Sequence, residues 1–286
     1  MVGGLSLLDL RSGSWEGIVA VIVFMILGAV MGSFCCCQAW RIRYKEEGKK
    51  DLGKRSVCLK CGRQLKWYEN VPVVSWLVQR GKCRGCGKEI GAAEILSELA
   101  GIAIFGILGA VSVSGLGFCI VGNCAYSNRN FLAIGVLAVL LVALLILAIY
   151  DAKWGELPTR LLVVGIVLGI GIWAISFSTT WGWGEGMREL VLETLGAVGI
   201  LGGIYYLLYF FSKENLVGGG DWMLGVAIGL VLQDWWLAIW VLFLSNLVGA
   251  IVMLPQRKKK IAFGPFLAGA FVVVLALKWV ILGFKP

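Results

Sequence analysis

Two aspartates stand out in the sequence because each lies at the end of a long apolar run. Asp151 closes one run, and Asp221 opens another directly after glycines 218–220. A carboxylate at the edge of the hydrocarbon layer is costly to ionise, so such residues are rare and usually functional. The chain contains no histidine, which excludes serine–histidine hydrolysis and histidine-ligated metalloprotease sites. The two aspartates therefore favour paired-carboxylate chemistry.

Two carboxylates that lie close together can share one proton, because like charges at short range do not both ionise cheaply. The ionised member takes a proton from water, and the protonated member donates to a carbonyl oxygen. Gly218 and Gly220 have no side chains, so a substrate backbone can approach Asp221 closely. Glu98 is a third acid near the start of an apolar run, where it would support the site or pair with a basic loop residue. The alternative is that these acids only cap helices at the membrane interface.

A second chemical cluster consists of four cysteines in a polar loop. They form two Cys-x-x-Cys pairs, each followed by glycine and separated by 21 residues: Cys58, Cys61, Cys83 and Cys86. Two such pairs predict a tetrahedral zinc site, and four protein ligands leave no open position for catalysis. A small polar loop has little apolar core, so metal binding would supply its folding energy. Disulfides are the alternative, but thiols in a cytoplasmic loop are kept reduced.

The elements that carry these residues are membrane helices. Of the 286 residues, 59% are hydrophobic and only 15% are charged, which is typical of an integral membrane protein. There are about eight apolar runs: 17–39, 94–121, 131–150, 161–178, 190–211, 222–232, 235–254 and 261–283. Glycines four residues apart, at 165 and 169 and at 199 and 203, predict close helix packing.

The fold class predicted from these runs is an all-α polytopic membrane protein with about eight transmembrane helices and a small zinc-binding cytoplasmic domain in the first loop. The predicted divisions are a first transmembrane helix at 1–40, a zinc-binding loop domain at 41–93 and a multi-helix membrane core at 94–286. The first run lacks a small-x-small cleavage site, so it is interpreted as a retained helix.

The distribution of basic residues predicts the orientation of the chain. Residues 41–93 contain 14 lysines and arginines against 5 aspartates and glutamates. The positive-inside rule makes this loop cytoplasmic and places the N-terminus outside. With eight spans, Asp151 and Asp221 both fall on the cytoplasmic side. The basic clusters are interpreted as topology determinants that also make some contact with anionic headgroups of the lipid bilayer, rather than as nucleic-acid contacts. Cys119 and Cys124 lie in a predicted outside loop, where a disulfide and free thiols remain alternatives.

Several short motifs recur in one order along almost the whole chain. They are Gly32-Ser33-Phe34 with Arg41, the cysteine loop with residues 69–77 and 80–82, Asp151 with Leu157-Pro158, Gly218-x-Gly220-Asp221, and Phe263-Gly264-Pro265-Phe266. In this order the chain resembles the type IV prepilin peptidases, which are membrane aspartyl proteases of the GxGD type. It departs from motifs common in that family at four positions: Cys36, Glu94, Thr159 and Met223.

The resemblance implies an endopeptidase of the cytoplasmic (inner) membrane that removes the basic leader of prepilins or pseudopilins, in type IV pilus or type II secretion systems. Many members then N-methylate the new terminus with S-adenosylmethionine, whose binding residues the sequence does not identify. The resemblance also makes Asp151 and Asp221 the catalytic pair and the four loop cysteines the zinc ligands. The alternatives are a transporter whose acids relay protons, or a noncatalytic scaffold with a zinc-binding loop.

Overall fold

The structure, a computed structural model, describes residues 15–49, 55–113, 128–180, 184–212, 218–256 and 262–285. Its helices are α1 (Trp15–Glu46), α2 (Val74–Val78), α3 (Ala92–Val113), α4 (Asn128–Trp154), α5 (Thr159–Thr180), α6 (Gly184–Val198), α7 (Ile204–Ser212), α8 (Asp221–Leu232), α9 (Trp235–Gln256), α10 (Gly264–Ala276) and α11 (Lys278–Leu282). A 3₁₀ turn, Trp67–Asn70, precedes α2, and a π-helical turn, Gly199–Gly203, joins α6 to α7. The cysteines at 119 and 124 lie outside the described residues.

The chain divides into two compact units, Met1–Gly115 and Leu116–Pro286. Within the described residues, six helices are long and apolar enough to cross a membrane, and α8 and α10 are shorter apolar helices. Together they account for the eight apolar runs of the sequence, with α6, the π turn and α7 forming one continuous span. The predicted all-α membrane fold is confirmed. The finer division at residues 40 and 93 stays a prediction.

In the first unit, α1 and α3 pack backbone against backbone. A Cβ added at Gly28 would collide with the carbonyl of Gly101, and one added at Gly32 would collide with the carbonyl of Ser97. Small residues four apart allow this close approach, in which van der Waals contact replaces the hydrophobic effect that is absent in lipid. The tight pair forms the base from which the cysteine loop departs and to which it returns.

In the second unit, α8 occupies the centre. It contacts α5, α6, α9, α10 and the π turn, and eight of its 12 residues are buried. A helix that is apolar on every side is stable only when other helices surround it. The predicted close packing at Gly165 and Gly169 is confirmed, because Cβ atoms there would lie 3.7 Å from Ala227 Cβ and 3.1 Å from Ala227 O.

The predicted role of the other glycine pair is wrong. Added Cβ atoms at Gly199 and Gly203 would meet open space, whereas one at Gly202 would lie 2.5 Å from Val226 Cγ2. The π-helical turn changes which residues face α8, because it inserts an extra residue per turn. The four-residue spacing therefore marks the right segment but the wrong glycine.

The end of α8 remote from Asp221 is held by a small ionic cluster. Lys285 Nζ lies 2.9 Å from Glu193 Oε1 and 2.9 Å from Asp234 Oδ2. The backbone N–H of Trp235 donates to Glu193 Oε2 at 3.2 Å. These contacts join α6, the α8–α9 turn and the segment after α11, and so fix the helix that carries Asp221.

Candidate active site

Asp151 lies in the last turn of α4, where the helix ends in a glycine turn. The N–H of Gly155 donates to the Asp151 carbonyl at 2.7 Å, and Gly155 has φ of 67°, the left-handed value typical of such ends. The Asp151 side chain points inward and the residue is only 4% exposed. Its Oδ2 accepts the backbone N–H of Gly264, the first residue of α10, at 2.7 Å.

Asp221 is the first residue of α8 and is 5% exposed. Its Oδ2 accepts the backbone N–H of Gly218 at 3.0 Å, so the side chain closes the turn that begins the helix. A carboxylate is favoured at this end of a helix because the first N–H groups have no partners within the helix. The glycine-rich turn and the helix therefore fix Asp221 together.

The structure brings the two predicted aspartates into one buried site within the second unit. Asp151 and Asp221 interact electrostatically, although 70 residues separate them in the sequence. Each has one carboxylate oxygen held by a backbone N–H, which fixes its orientation. A buried, oriented and interacting pair of carboxylates is the arrangement that general acid–base hydrolysis requires.

Gly220 lies against Leu157 of the protein itself, whereas the sequence predicted space there for a substrate backbone. A Cβ at this position would lie 2.6 Å from Leu157 Cβ, so the glycine admits the protein's own α4–α5 connection. Gly218 is exposed and contributes its N–H to Asp221. Gly220 thus allows the two aspartate-bearing segments to pack together, and Gly218 orients Asp221.

Gly264 is a residue of the site whose role the sequence did not reveal. A Cβ there would lie 2.8 Å from Asp151 Oδ2 and 3.4 Å from Asp151 Cγ. Only glycine therefore allows this carboxylate to approach the start of α10. The Phe263-Gly264-Pro265-Phe266 motif was a signal, but its contact with a helix 113 residues away was not readable from it.

Tyr205, on α7, was also not predicted. It is 2% exposed and interacts electrostatically with Asp221. Its hydroxyl oxygen accepts the Nδ2–H of Asn246 at 3.1 Å and lies 3.4 Å from Ser245 Oγ. The centroid of its ring is 5.3 Å from that of Phe263. Tyr205 thus links α9 to the segment that presents Gly264.

Glu98 lies in the first unit, on α3, and is 7% exposed. Its Oε2 accepts the backbone N–H of Val73 at 2.7 Å, and its side chain also hydrogen-bonds to Ser33. Its partner in the loop is therefore a backbone group rather than a basic side chain. Its predicted support of the aspartates stays a prediction.

The four loop cysteines converge into one cluster. All four Sγ atoms, of Cys58, Cys61, Cys83 and Cys86, lie within 4.8 Å of one another. A tetrahedral Zn–S distance of about 2.3 Å implies sulfur–sulfur separations of about 3.8 Å, so the residues fit a metal of this kind. The backbone N–H groups of Cys86 and Gly85 lower the pKa of the Cys83 thiol to about 6, which favours the thiolate that binds metal.

Each cysteine pair lies on a tight turn of the same design. The N–H groups of Gly62 and Gly87 donate to the carbonyls of Cys58 and Cys83, both at 2.8 Å. These glycines have φ of 71° and 68°, values that glycine adopts without strain. Glycine at these two positions therefore lets each cysteine pair close into a tight turn.

An ion pair supports the cluster from one side. Arg63 Nη2 lies 2.8 Å from Glu69 Oε1, and the Glu69 side chain is 1% exposed. The Arg63 guanidinium and the N–H of Lys66 hold the pKa of the Glu69 carboxyl below its ordinary value. The guanidinium also hydrogen-bonds to Cys83, so the first turn is tied to the second.

Two family models match the chain, one within each of its two compact units. A family model described as the bacterial peptidase A24 N-terminal domain matches residues 26–112, and that of the type IV leader peptidase family matches residues 138–254. A relative from Dichelobacter nodosus, named prepilin leader peptidase/N-methyltransferase, is 31% identical over 219 residues, which cover 74% of this chain and 68% of the relative. The chain belongs to the type IV leader peptidase family.

Other members of the type IV leader peptidase family carry the same name. One from Vibrio cholerae is 24% identical over 269 residues, covering 90% of this chain and 96% of the relative. One from Burkholderia pseudomallei is 30% identical over 229 residues, covering 77% of this chain and 66% of the relative. No solved structure matches the chain.

Each of the two family models covers a different set of candidate functional residues. The N-terminal model covers the four cysteines and Glu98, and the peptidase model covers Asp151 and Asp221. Gly264 lies beyond the matched residues of the family's peptidase model, although its N–H contacts Asp151 directly. The geometry therefore adds a backbone donor that the family match does not include.

Proposed function

We propose that the protein is a membrane aspartyl endopeptidase that removes the leader peptide of prepilins or pseudopilins and then N-methylates the new terminus. The observation that carries the peptidase activity is the buried pair formed by Asp151 and Asp221, each with Oδ2 held by a backbone N–H. The name that the relatives carry supports both activities.

In the proposed mechanism the two carboxylates share one proton. The ionised carboxylate removes a proton from a water molecule as that water attacks the scissile carbonyl carbon. The protonated carboxylate donates its proton to the carbonyl oxygen, and the proton then passes to the leaving amine as the C–N bond breaks. Because Oδ2 of each residue is already held, the Oδ1 atoms are the ones that act on water and substrate. Burial excludes bulk water and strengthens these interactions.

The site belongs at the cytoplasmic face of the inner membrane in this proposal. The excess of basic residues in 41–93 supports this orientation, with the N-terminus outside. Asp151 and Asp221 then lie on the side where the basic leader of an unprocessed prepilin is held. A substrate whose apolar segment is still in the bilayer would present its junction directly to the pair.

The four cysteines, in this proposal, hold one structural Zn²⁺. Four thiolates fill a tetrahedral shell and leave no position for substrate, so the ion would fold the loop rather than react. The ion pair between Arg63 and Glu69 supports the same loop without metal.

The second activity uses S-adenosylmethionine, which supplies an electrophilic methyl group to the new N-terminal amine. The chain's own task is to bind this donor and to hold the amine in its neutral form.

The test is the intact mass of a prepilin with a basic leader and a glycine junction, incubated with the purified enzyme with and without S-adenosylmethionine. Loss of the leader mass is expected from the unaltered enzyme and from Glu189→Gln, which alters an exposed carboxylate on α6 of the same unit. Asp151→Asn and Asp221→Asn should each abolish cleavage while zinc stays bound. Full cleavage by either variant, or substrate-coupled proton flux without cleavage, would contradict the proposal. A mass gain of one methyl group tests the second activity.

A further inference from the structure

The cysteine loop exposes an apolar surface that neither its four-sulfur cluster nor its ion pair uses. Trp67 is 81% exposed, and Val74, Leu77 and Val78 are 56%, 58% and 63% exposed. Residues three and four apart lie on the same side of a helix, so the last three project from one side of α2. The 3₁₀ turn that carries Trp67 packs against α2. We call these four side chains, together with the exposed Val71, the apolar patch.

A hydrogen bond places the apolar patch at the level of the membrane. The N–H of Val73, the residue before α2, donates to Glu98 Oε2 at 2.7 Å. Glu98 lies about 9 Å along α3 from the start of that helix, at 1.5 Å per residue. Its neighbours Leu96 and Leu99 are 61% and 46% exposed on a helix long and apolar enough to cross the bilayer. The chain that enters α2 therefore lies beside the lipid-facing part of α3 rather than out in water.

The contact between the loop and α3 is firmly held. Glu98 is 7% exposed and also hydrogen-bonds to Ser33 of α1, so its carboxylate joins both long helices to the loop. Val73 has φ of 61°, which is rare for a β-branched side chain. Strain of this kind persists only where the surrounding structure imposes it. The direction in which the chain enters α2 is thus set by the two membrane helices.

Basic side chains border the apolar patch on its aromatic side. Lys66 Nζ and Arg84 Cζ lie 5.8 Å and 5.4 Å from the centroid of the Tyr68 ring. The centroid of the Tyr68 ring is 5.7 Å from that of the Trp67 ring. Aromatic rings lie at the headgroup level of a bilayer, where lysine and arginine attract anionic lipids. An apolar surface with this border therefore complements a leaflet that contains anionic headgroups.

We propose that the apolar patch inserts into the bilayer leaflet next to the cysteine loop, and that Lys66 and Arg84 bind the anionic headgroups of that leaflet. In this arrangement α2 lies in the plane of the interface instead of crossing the membrane. A lipid surface is favoured over a protein partner because the loop is already bonded to α3 at the depth of the lipid-facing leucines. The inference does not depend on the peptidase activity proposed above. With the orientation proposed there, the leaflet is the cytoplasmic one.

The first experiment identifies what α2 touches, using the full-length, zinc-loaded protein in nanodiscs of phosphatidylcholine with phosphatidylglycerol as the minor component. The photo-crosslinking residue p-benzoylphenylalanine replaces Leu77, and its adducts are identified by mass spectrometry. A lipid adduct is expected. The matched control places the same residue at Gln64, an exposed polar position of the same loop, where the yield of lipid adduct should be about tenfold lower.

Two further positions make the result independent of any one replacement. Val78 tests the other exposed end of α2, and Trp67 tests the 3₁₀ turn; both should give lipid adducts. Zinc content is measured on every sample, so that a disturbed loop is recognised. Adducts only to another segment of the chain or to an added prepilin, or equal lipid yields at Leu77 and Gln64, would overturn the proposal.

The basic border is tested by the kind of lipid that is captured. At position 77, phosphatidylglycerol should be enriched among the adducts about fivefold over its share of the bilayer. Combining Lys66→Gln with Arg84→Gln should return the captured lipids to the bulk composition. The control combines Lys60→Gln with Lys88→Gln, two exposed lysines elsewhere in the loop, and should keep the enrichment. Absence of enrichment in the unaltered loop, or an equal loss in both double variants, would refute the role of Lys66 and Arg84.

Discussion

Replacement of Gly264 by alanine tests how closely the start of α10 positions Asp151. The added Cβ would lie 2.8 Å from Asp151 Oδ2, whereas ordinary contact begins near 3.4 Å. The carboxylate and the α10 terminus must therefore separate by about 0.6 Å, which also stretches the 2.7 Å hydrogen bond from the Gly264 N–H. A misplacement of about 1 Å costs about 100-fold in rate, so we expect kcat to fall between about tenfold and about 100-fold.

The assay is the initial rate of leader removal from a prepilin substrate at several substrate concentrations, with rates read by mass spectrometry. Because the change acts on the reacting carboxylate rather than on substrate contacts, kcat should fall while KM changes less than about twofold. Zinc content and thermal unfolding are measured on the same samples.

The matched control is Gly269→Ala on the same helix. A Cβ at Gly269 would meet open space, and alanine favours a helix by roughly 1 kcal/mol over glycine. This variant should cleave at the unaltered rate. If Gly264→Ala also cleaves at that rate, or if both variants lose activity equally, the contact with Asp151 does not position the carboxylate and the argument fails.

Three further changes have expected outcomes. Tyr205→Phe removes the hydroxyl that joins α7 to α9, and should lower the free energy of unfolding by about 1–2 kcal/mol and slow cleavage several-fold. Cys83→Ser should reduce bound zinc, measured by elemental mass spectrometry, to near zero and expose the loop to protease. Glu69→Gln removes a carboxyl whose pKa is held below its ordinary value of 4.5 by Arg63 and the Lys66 N–H. Its stabilising effect should be present above pH 4.5 and disappear as the pH falls further, seen as convergence of the two unfolding curves.

Each change has a control of the same type. Tyr206→Phe alters a side chain that is 46% exposed and should be silent. Cys37→Ser should leave one zinc per chain, since Cys37 is outside the four-sulfur cluster. Glu89→Gln should not alter the pH dependence. Normal zinc in Cys83→Ser, or an equal pH response in Glu69→Gln and the unaltered protein, would contradict the assigned contacts.

The helical segments and the chemical groups were predictable because their signals are local. Apolar runs locate the helices within a few residues, and the spacing of Cys58, Cys61, Cys83 and Cys86 predicts a cluster that the structure then forms. Asp151 and Asp221 are conspicuous because a carboxylate beside an apolar run is costly to ionise, whatever the tertiary structure. None of these inferences needs knowledge of which helices touch.

The contacts that complete the site were not predictable because they join distant segments. The N–H of Gly264 and the carboxylate of Asp151 meet across 113 residues, and no local pattern encodes that distance. The π turn altered which glycine packs on α8, since a one-residue change in helical register moves every side chain after it. The position of Val73 beside α3 appears only once its hydrogen bond to Glu98 is known.

Two of the helices that frame the aspartates are shorter than a bilayer is thick. With 12 and 13 residues, α8 and α10 extend about 18 Å and 20 Å, against a hydrocarbon layer of about 30 Å. Asp221 opens one and Gly264, which holds Asp151, opens the other. Other helices enclose α8, so its short length leaves space within the protein rather than a gap in the lipid. We expect water to reach the pair through that space, so the rate of cleavage should depend on the packing of the surrounding helices more than on acyl-chain length.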